Sequence, residues 1–222
     1  KLLKNYFPIQ YLHNSYIYLS KNSMKNTFRE NISHKYSFSD LSDQDIIVVL
    51  VIGESARFDH FAINGYHQDT TPYLSSMKNL FSFKAQSSSN HTYLSVPSLL
   101  SRHTAINLDK ASEETSILSI FTMLGYRTNW IGTQSLMKYL TNINQLTIYD
   151  EANFAIIPGG SALFKMNDYD EKMLPYIKNL LTSNDKQLLV VHTSGSHWDY
   201  SARYPKEFQK FIPGCDSIAK SD

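Results

Sequence analysis

The stretch at residues 46–74, IIVVLVIGESARFDHFAINGYHQDTTPYL, decides how this chain folds. Its first seven residues are all apolar and mostly β-branched. Such a run suits a strand in the middle of a parallel sheet, covered on both faces. Gly53 and Glu54 follow at once. A carboxylate at the end of a buried strand is costly unless it is paired or bound to a cation. From the strand alone two roles for Glu54 stand level: a metal ligand, or a structural group that caps a helix or pairs with Arg57.

Working outward, YRTNWIG at 126–132 and QLLVVHT at 187–193 read as further strands, and FSFKAQ at 81–86 alternates like another. Helices fall between them. Thr70-Thr71-Pro72 opens one, with proline in the first turn. TYLSVPSLLS follows the polar turn SSSNHT at 87–92. SEETSILSIFTMLG at 112–125 reads as a helix capped by Ser112 or Thr115 and stopped by Gly125. DYDEKMLPYIKNLL at 168–181 has helical spacing, and Pro175 should kink it or shift its start. Alternating strands and helices predict an α/β fold: a mostly parallel central sheet with helices on both faces. Residues 1–44 are polar and read as an arm and linker. Residues 45–222 read as the folded domain.

Composition narrows the class. A length of 222 residues suits one α/β domain, or one domain plus an arm. The net charge of +1, from 21 basic and 20 acidic residues, gives no global field for nucleic acid, so no nucleic-acid partner is expected. The single cysteine, Cys215, cannot form an intrachain disulfide and leaves the compartment unread. No run of 18 apolar residues occurs, so these residues carry no membrane span. The ends, KLLKNYFPIQYL and CDSIAKSD, do not read as natural termini, and a piece of a longer protein is expected.

Open parallel sheets bind ligands outside the carboxyl ends of their strands. Three polar constellations fall there: Gly53-Glu54-Ser55, the Ser87–Thr92 loop, and His192 to His197. Thr92 meets a helix start. The commoner job for a threonine there is an N-cap. The alternative is a nucleophile beside a helix N-terminus that favours phosphate. HTSGSH at 192–197 places two histidines after a buried strand, with Gly195 allowing close approach, and points to acid/base work or anion binding. Gln134 and Lys138, in GTQSLMKYL, are placed to touch a phosphate, although a solvated lysine is the default. No P-loop, GxGxxG, CxxC or HExxH occurs.

Taken together these stretches resemble the periplasmic catalytic domain of the phosphoethanolamine transferases that modify lipid A. That family includes the mobile colistin-resistance enzymes, within the alkaline phosphatase and sulfatase superfamily. The likeness rests on VIGESARFDHFAINGYHQDTTPYL at 51–74, NHTYLSVPSLLS at 90–101, WIGTQSLMK at 130–138 and HTSGSHWDYSARYP at 192–205, with FIPGC at 211–215 a weaker fifth. The resemblance implies a zinc enzyme. Glu54 and Thr92 correspond to zinc ligands, and Thr92 to the nucleophile that carries phosphoethanolamine. Lys138 and His197 correspond to substrate-binding positions, and Thr133 stands at another where relatives usually carry asparagine; Gln134 and His192 join them as substrate-binding candidates on their own chemistry. The implied donor is phosphatidylethanolamine and the implied acceptor is lipid A or another envelope glycolipid. The implied setting is the bacterial inner membrane, reached through a transmembrane region absent here, with the catalytic domain facing the periplasm.

Two departures bear on that reading. Relatives bracket the nucleophile loop with a disulfide, where this chain has Ser88 and Ser98, and Ser221 stands at another expected cysteine. The family's remaining zinc ligands, an Asp-His pair, are expected beyond residue 222, together with the last strands of an incomplete sheet. Two rival readings remain: a sulfatase-like hydrolase or phosphoglycerol transferase, and a non-catalytic relative that binds envelope lipid or a partner.

Overall fold

The computed structural model describes residues 29–37, 46–134, 151–156, 158, 169–198, 200–212 and 214. Four strands form one sheet in the order β1-β4-β2-β3: β1 (Ile47–Ile52), β2 (Arg127–Gly132), β3 (Phe154–Ile156) and β4 (Gln187–His192). Every pairing is parallel. Ile52 of β1 and Gly132 of β2 both align with His192 of β4. Three strands therefore stop level, and the segments that follow them leave the same edge of the sheet.

Helices cover both faces, as the alternation predicts. Single-turn α1 (Pro72–Ser75) starts with its proline, and α2 (Thr92–Leu99) and α3 (Ile117–Met123) follow it. Val96 and Leu100 at the end of α2 and Leu118 of α3 pack on Ile52, Trp130, Leu188 and Val190. On the other face Met173 and Leu180 meet Ile131, Leu189 and Val191. Leu180 belongs to α4 (Leu174–Leu181), which a 3-10 turn, Asp170–Met173, introduces. Pro175 sits in the first turn of α4, where its missing N–H is tolerated, so it shifts the helix start rather than kinking it.

The structure corrects three local expectations. β1 is an outer strand among the described residues, not a doubly covered one. Val49 and Val51, on the face that α4 covers elsewhere, are 45% and 61% exposed. Residues 81–86 form no strand: no described segment pairs with them, and Phe81 and Phe83 are exposed. The cap of α3 is Ser116, whose hydroxyl accepts from the Leu118 N–H, rather than Ser112 or Thr115. Glu114, itself buried, pairs with the exposed Arg102 rather than standing in the first turn of α3. The short strand β3 had no sequence signal.

Part of the polar arm packs on the domain. Glu30 bridges to Glu114 in parallel fashion, and Ile32 is fully buried. Arg29 pairs with Glu151, whose other oxygen accepts from the backbone and hydroxyl of Ser116 at 2.7 and 2.6 Å. The rest of the arm lies outside the described residues. No helix among the described residues is long and apolar enough to cross a membrane.

Candidate active site at the carboxyl edge of the sheet

Glu54 stands two residues past the end of β1, held from three sides. The Thr92 hydroxyl donates to its Oε2 at 2.8 Å. The side-chain amide of Gln134 donates to the same oxygen at 2.9 Å, and the Ser55 hydroxyl donates to Oε1 at 3.0 Å. Burial pushes the Glu54 carboxyl up, but these three hydrogen bonds and the nearby His197 outweigh it and hold it below the ordinary carboxylate range. Glu54 is therefore an anion at neutral pH. Its expected alternative partner, Arg57, is exposed and forms an ion pair with Asp59 at 2.7 Å instead.

Local backbone sets this geometry. Ser55 has a φ of +51°, a left-handed conformation unusual for a residue with a side chain. It turns the chain out of β1 and brings its own hydroxyl back onto Glu54. Thr92 is the first residue of α2, and the cap position belongs to His91. The Thr92 hydroxyl is thus used on Glu54 and not in capping. It also sits at the positive end of a helix dipole. Glu54 and Thr92 line an open cleft of about 730 Å³, walled by Gly53, Ser87, Asn90 and Ser95.

The segment after β4 closes the other side. The Ser196 N–H donates to the Glu54 carbonyl at 3.1 Å. Gly195 has a φ of +45°, and a Cβ there would stand 3.1 Å from the Glu54 nitrogen, so glycine allows this approach. His197 follows, half-buried, near enough to favour the Glu54 anion. The Thr193 carbonyl accepts from Gln134 at 3.2 Å, so one amide ties Glu54 to this segment.

Glu54, Thr92 and Gln134 thus come together directly, with His197 close by. His192 does not face the cleft in the way a substrate contact would. Its ring is 1% exposed and stacks edge-on against Trp130, with centroids 5.8 Å apart. Burial pushes it down to about 4 against the upward pull of Glu54 and Asp170, so it is neutral. Thr133 is also buried, and its hydroxyl donates to Asp170, not outward. Lys138 lies outside the described residues, as do Cys215 and Ser221. Ser88 and Ser98 come together, with hydroxyl oxygens 2.9 Å apart. Asp170 was not anticipated. Its only sequence signal is an acidic residue before a helix, which reads as an ordinary first-turn charge.

Glu54 and Thr92 offer two oxygen donors of the types zinc accepts. Zinc sites normally carry three or more protein ligands. No group of three or more His, Cys, Asp or Glu able to hold a metal ion exists among the described residues. The donors fit the ion in kind and supply part of a shell.

Comparison with known proteins places this geometry. The profile of the Sulfatase family matches residues 47–221. The Kdo(2)-lipid A phosphoethanolamine 7''-transferase of Salmonella typhimurium is 29% identical over 194 residues, covering 85% of this chain and 34% of that protein. The chain thus spans about a third of that relative's length. The C-terminal periplasmic domain of EcEptC from Escherichia coli, solved in complex with Zn, superposes with a TM-score of 0.69 at 24% identity, covering 82% of this chain and 52% of that one. The integral membrane protein lipooligosaccharide phosphoethanolamine transferase A from Neisseria meningitidis gives a TM-score of 0.70 at 20% identity, over 95% and 40%. Both solved structures share the parallel α/β fold described above.

Proposed function

Since this chain belongs to the sulfatase family, we propose that it carries the nucleophile half of a phosphoethanolamine transferase site, with Thr92 as the nucleophile. The observation that supports this most is the 2.8 Å hydrogen bond from the Thr92 hydroxyl to an ionised Glu54, at a helix N-terminus, in an open cleft. A helix cap would use that hydroxyl on its own backbone, and this one does not.

In the proposed reaction the Thr92 oxygen attacks the phosphorus of phosphatidylethanolamine. The phosphorus–oxygen bond to diacylglycerol breaks, and the threonine proton ends on the diacylglycerol oxygen. Thr92 then carries phosphoethanolamine. An oxygen of a lipid A phosphate attacks the same phosphorus, and the bond to threonine breaks, returning the Thr92 hydroxyl with a proton. Glu54 and Thr92 would hold a zinc ion together with ligands from outside these residues, and the ion would supply positive charge that lowers the pKa of the threonine hydroxyl. Gln134 orients Glu54, and the dipole of α2 favours the phosphoryl charge. His197 is proposed to contact the phosphate or to protonate the leaving oxygen. Lys138 is proposed as a further phosphate contact.

The proposed setting is a catalytic domain on the periplasmic side of the bacterial inner membrane, acting on lipid substrates. The test is covalent. Full-length protein incubated with phosphatidylethanolamine is expected to gain phosphoethanolamine on Thr92, read by peptide mass spectrometry. Thr92→Ala should carry no label and transfer nothing while keeping its melting temperature, and Thr92→Ser should keep part of the activity. An alanine variant that modified lipid A at the wild-type rate would sink the assignment.

A further inference from the structure

The segment from Thr193 to His197 is held against Glu54 by a carboxylate that the reaction does not use. Asp170 opens the 3-10 turn before α4. Its Oδ1 accepts from the Ser194 N–H at 2.8 Å and from the Thr133 hydroxyl, and its Oδ2 accepts from the Gly195 N–H at 2.9 Å. The Thr133 oxygen in turn accepts from the Ser194 N–H at 3.0 Å. Two consecutive backbone N–H groups converge on one carboxylate, an anion-binding concavity filled by the protein itself. Ser194 and Thr133 are both 7% exposed, so water competes little for these bonds.

The clamp joins the ends of β2 and β4 to the turn before α4. On the far side of the same segment, Ser196 donates to the Glu54 carbonyl and Gly195 approaches the Glu54 nitrogen. Any shift of Ser194 and Gly195 therefore moves Glu54 relative to His197. Resting on the transferase reading, we propose that Asp170 is a positioning residue: it fixes the segment after β4 so that Glu54 and His197 face the same phosphoryl group. It touches neither substrate nor nucleophile.

Asp170→Asn is the sharp variant. One oxygen becomes an N–H₂ group, which meets a backbone donor instead of accepting from it. Misplacement by about 1 Å costs roughly 100-fold in rate. The full-length protein is measured two ways. Turnover is counted per site that forms the phosphoenzyme, so that loss of folded protein is not read as loss of rate. Amide hydrogen exchange is followed over residues 193–197 and over β1 and β4. The expected result is turnover per site lowered about 100-fold, faster exchange confined to 193–197, and partial recovery in Asp170→Glu. Wild-type turnover per site in Asp170→Asn overturns the proposal. So does faster exchange throughout β1 and β4 in both variants, which would make Asp170 a determinant of folding alone. A wild-type protein that labels nothing would sink the transferase reading instead, and the exchange data would still decide whether the clamp exists. Unchanged exchange at 193–197 in Asp170→Asn would remove it.

Discussion

Replacing Ser88 and Ser98 by cysteine, with Cys215→Ser so that only one pair can form, tests the geometry around the nucleophile. The two hydroxyl oxygens are 2.9 Å apart, so two sulfur atoms need to close by less than about 1 Å to reach bonding distance. The residues are ten apart in sequence. Closing a loop of that length removes unfolded-state entropy worth about 2.7 kcal/mol. Against this, the Ser98 hydroxyl stands 2.8 Å from the His103 carbonyl, a hydrogen bond that a disulfide sulfur cannot replace. Its loss costs about 1 kcal/mol, leaving a net gain of about 1.7 kcal/mol. For a chain of this size that raises the melting temperature of the oxidised variant by about 3–7 °C over the Cys215→Ser parent that keeps both serines. Calorimetry of the oxidised variant beside that parent reads the shift, and non-reducing peptide mapping confirms the bond. Two thiols that stay reduced in an oxidising glutathione buffer, or a bond that lowers the melting temperature, would refute the placement of Ser88 beside Ser98.

Two further outcomes follow from the site. The 222-residue chain, offering Glu54 and Thr92 and no third nearby ligand among the described residues, is expected to bind zinc weakly. Titration calorimetry checks this, and tight one-to-one binding that Glu54→Ala abolishes would show that other side chains complete the shell. His192 has an unfolded value near 6.5 and a folded value of about 4, because burial disfavours its charged form. The unfolded chain thus binds the extra proton between those values. Stability is full above about pH 6.5 and falls on the order of 3 kcal/mol as pH drops towards 4. Neither ring nitrogen has a hydrogen-bond partner among the described residues. His192→Phe should therefore flatten the dependence of melting temperature on pH without loss at pH 7. An unchanged pH profile would assign the acid sensitivity elsewhere.

The fold was legible because its main strands are close to continuous apolar runs. IVVLVI and QLLVVH declare themselves without any neighbour, and so do the helices that separate them. What escaped were features decided by partners distant in sequence. Ser112 and Thr115 both read as caps for α3, and the cap fell to Ser116, whose N–H and hydroxyl also meet the distant Glu151. The alternation of 81–86 describes a strand only if another strand lies beside it. In the site, the Glu54–Thr92 contact follows from the stops of a strand and the start of a helix, both readable. The burial of His192 and Thr133 was not readable, since a strand end and a loop start look alike until the helix that covers them is known. Asp170 is the extreme case: besides the Thr133 hydroxyl its partners are two backbone N–H groups, which every sequence has everywhere.

The pairing of β1 with β4 also sets a clock. Ile47 waits for Gln187, 140 residues further along the chain by the register of the two strands. At a synthesis rate of about 5–20 residues per second that wait is roughly 7–28 s. Throughout it the most apolar segment of the protein has emerged without its neighbour, and loop closure over such a separation is slow once the neighbour arrives. IIVVLVI is thus the natural place for a holding chaperone to grip the nascent chain, and polar substitutions at the exposed Val49 and Val51 would loosen that grip while sparing the core side chains Val48, Leu50 and Ile52.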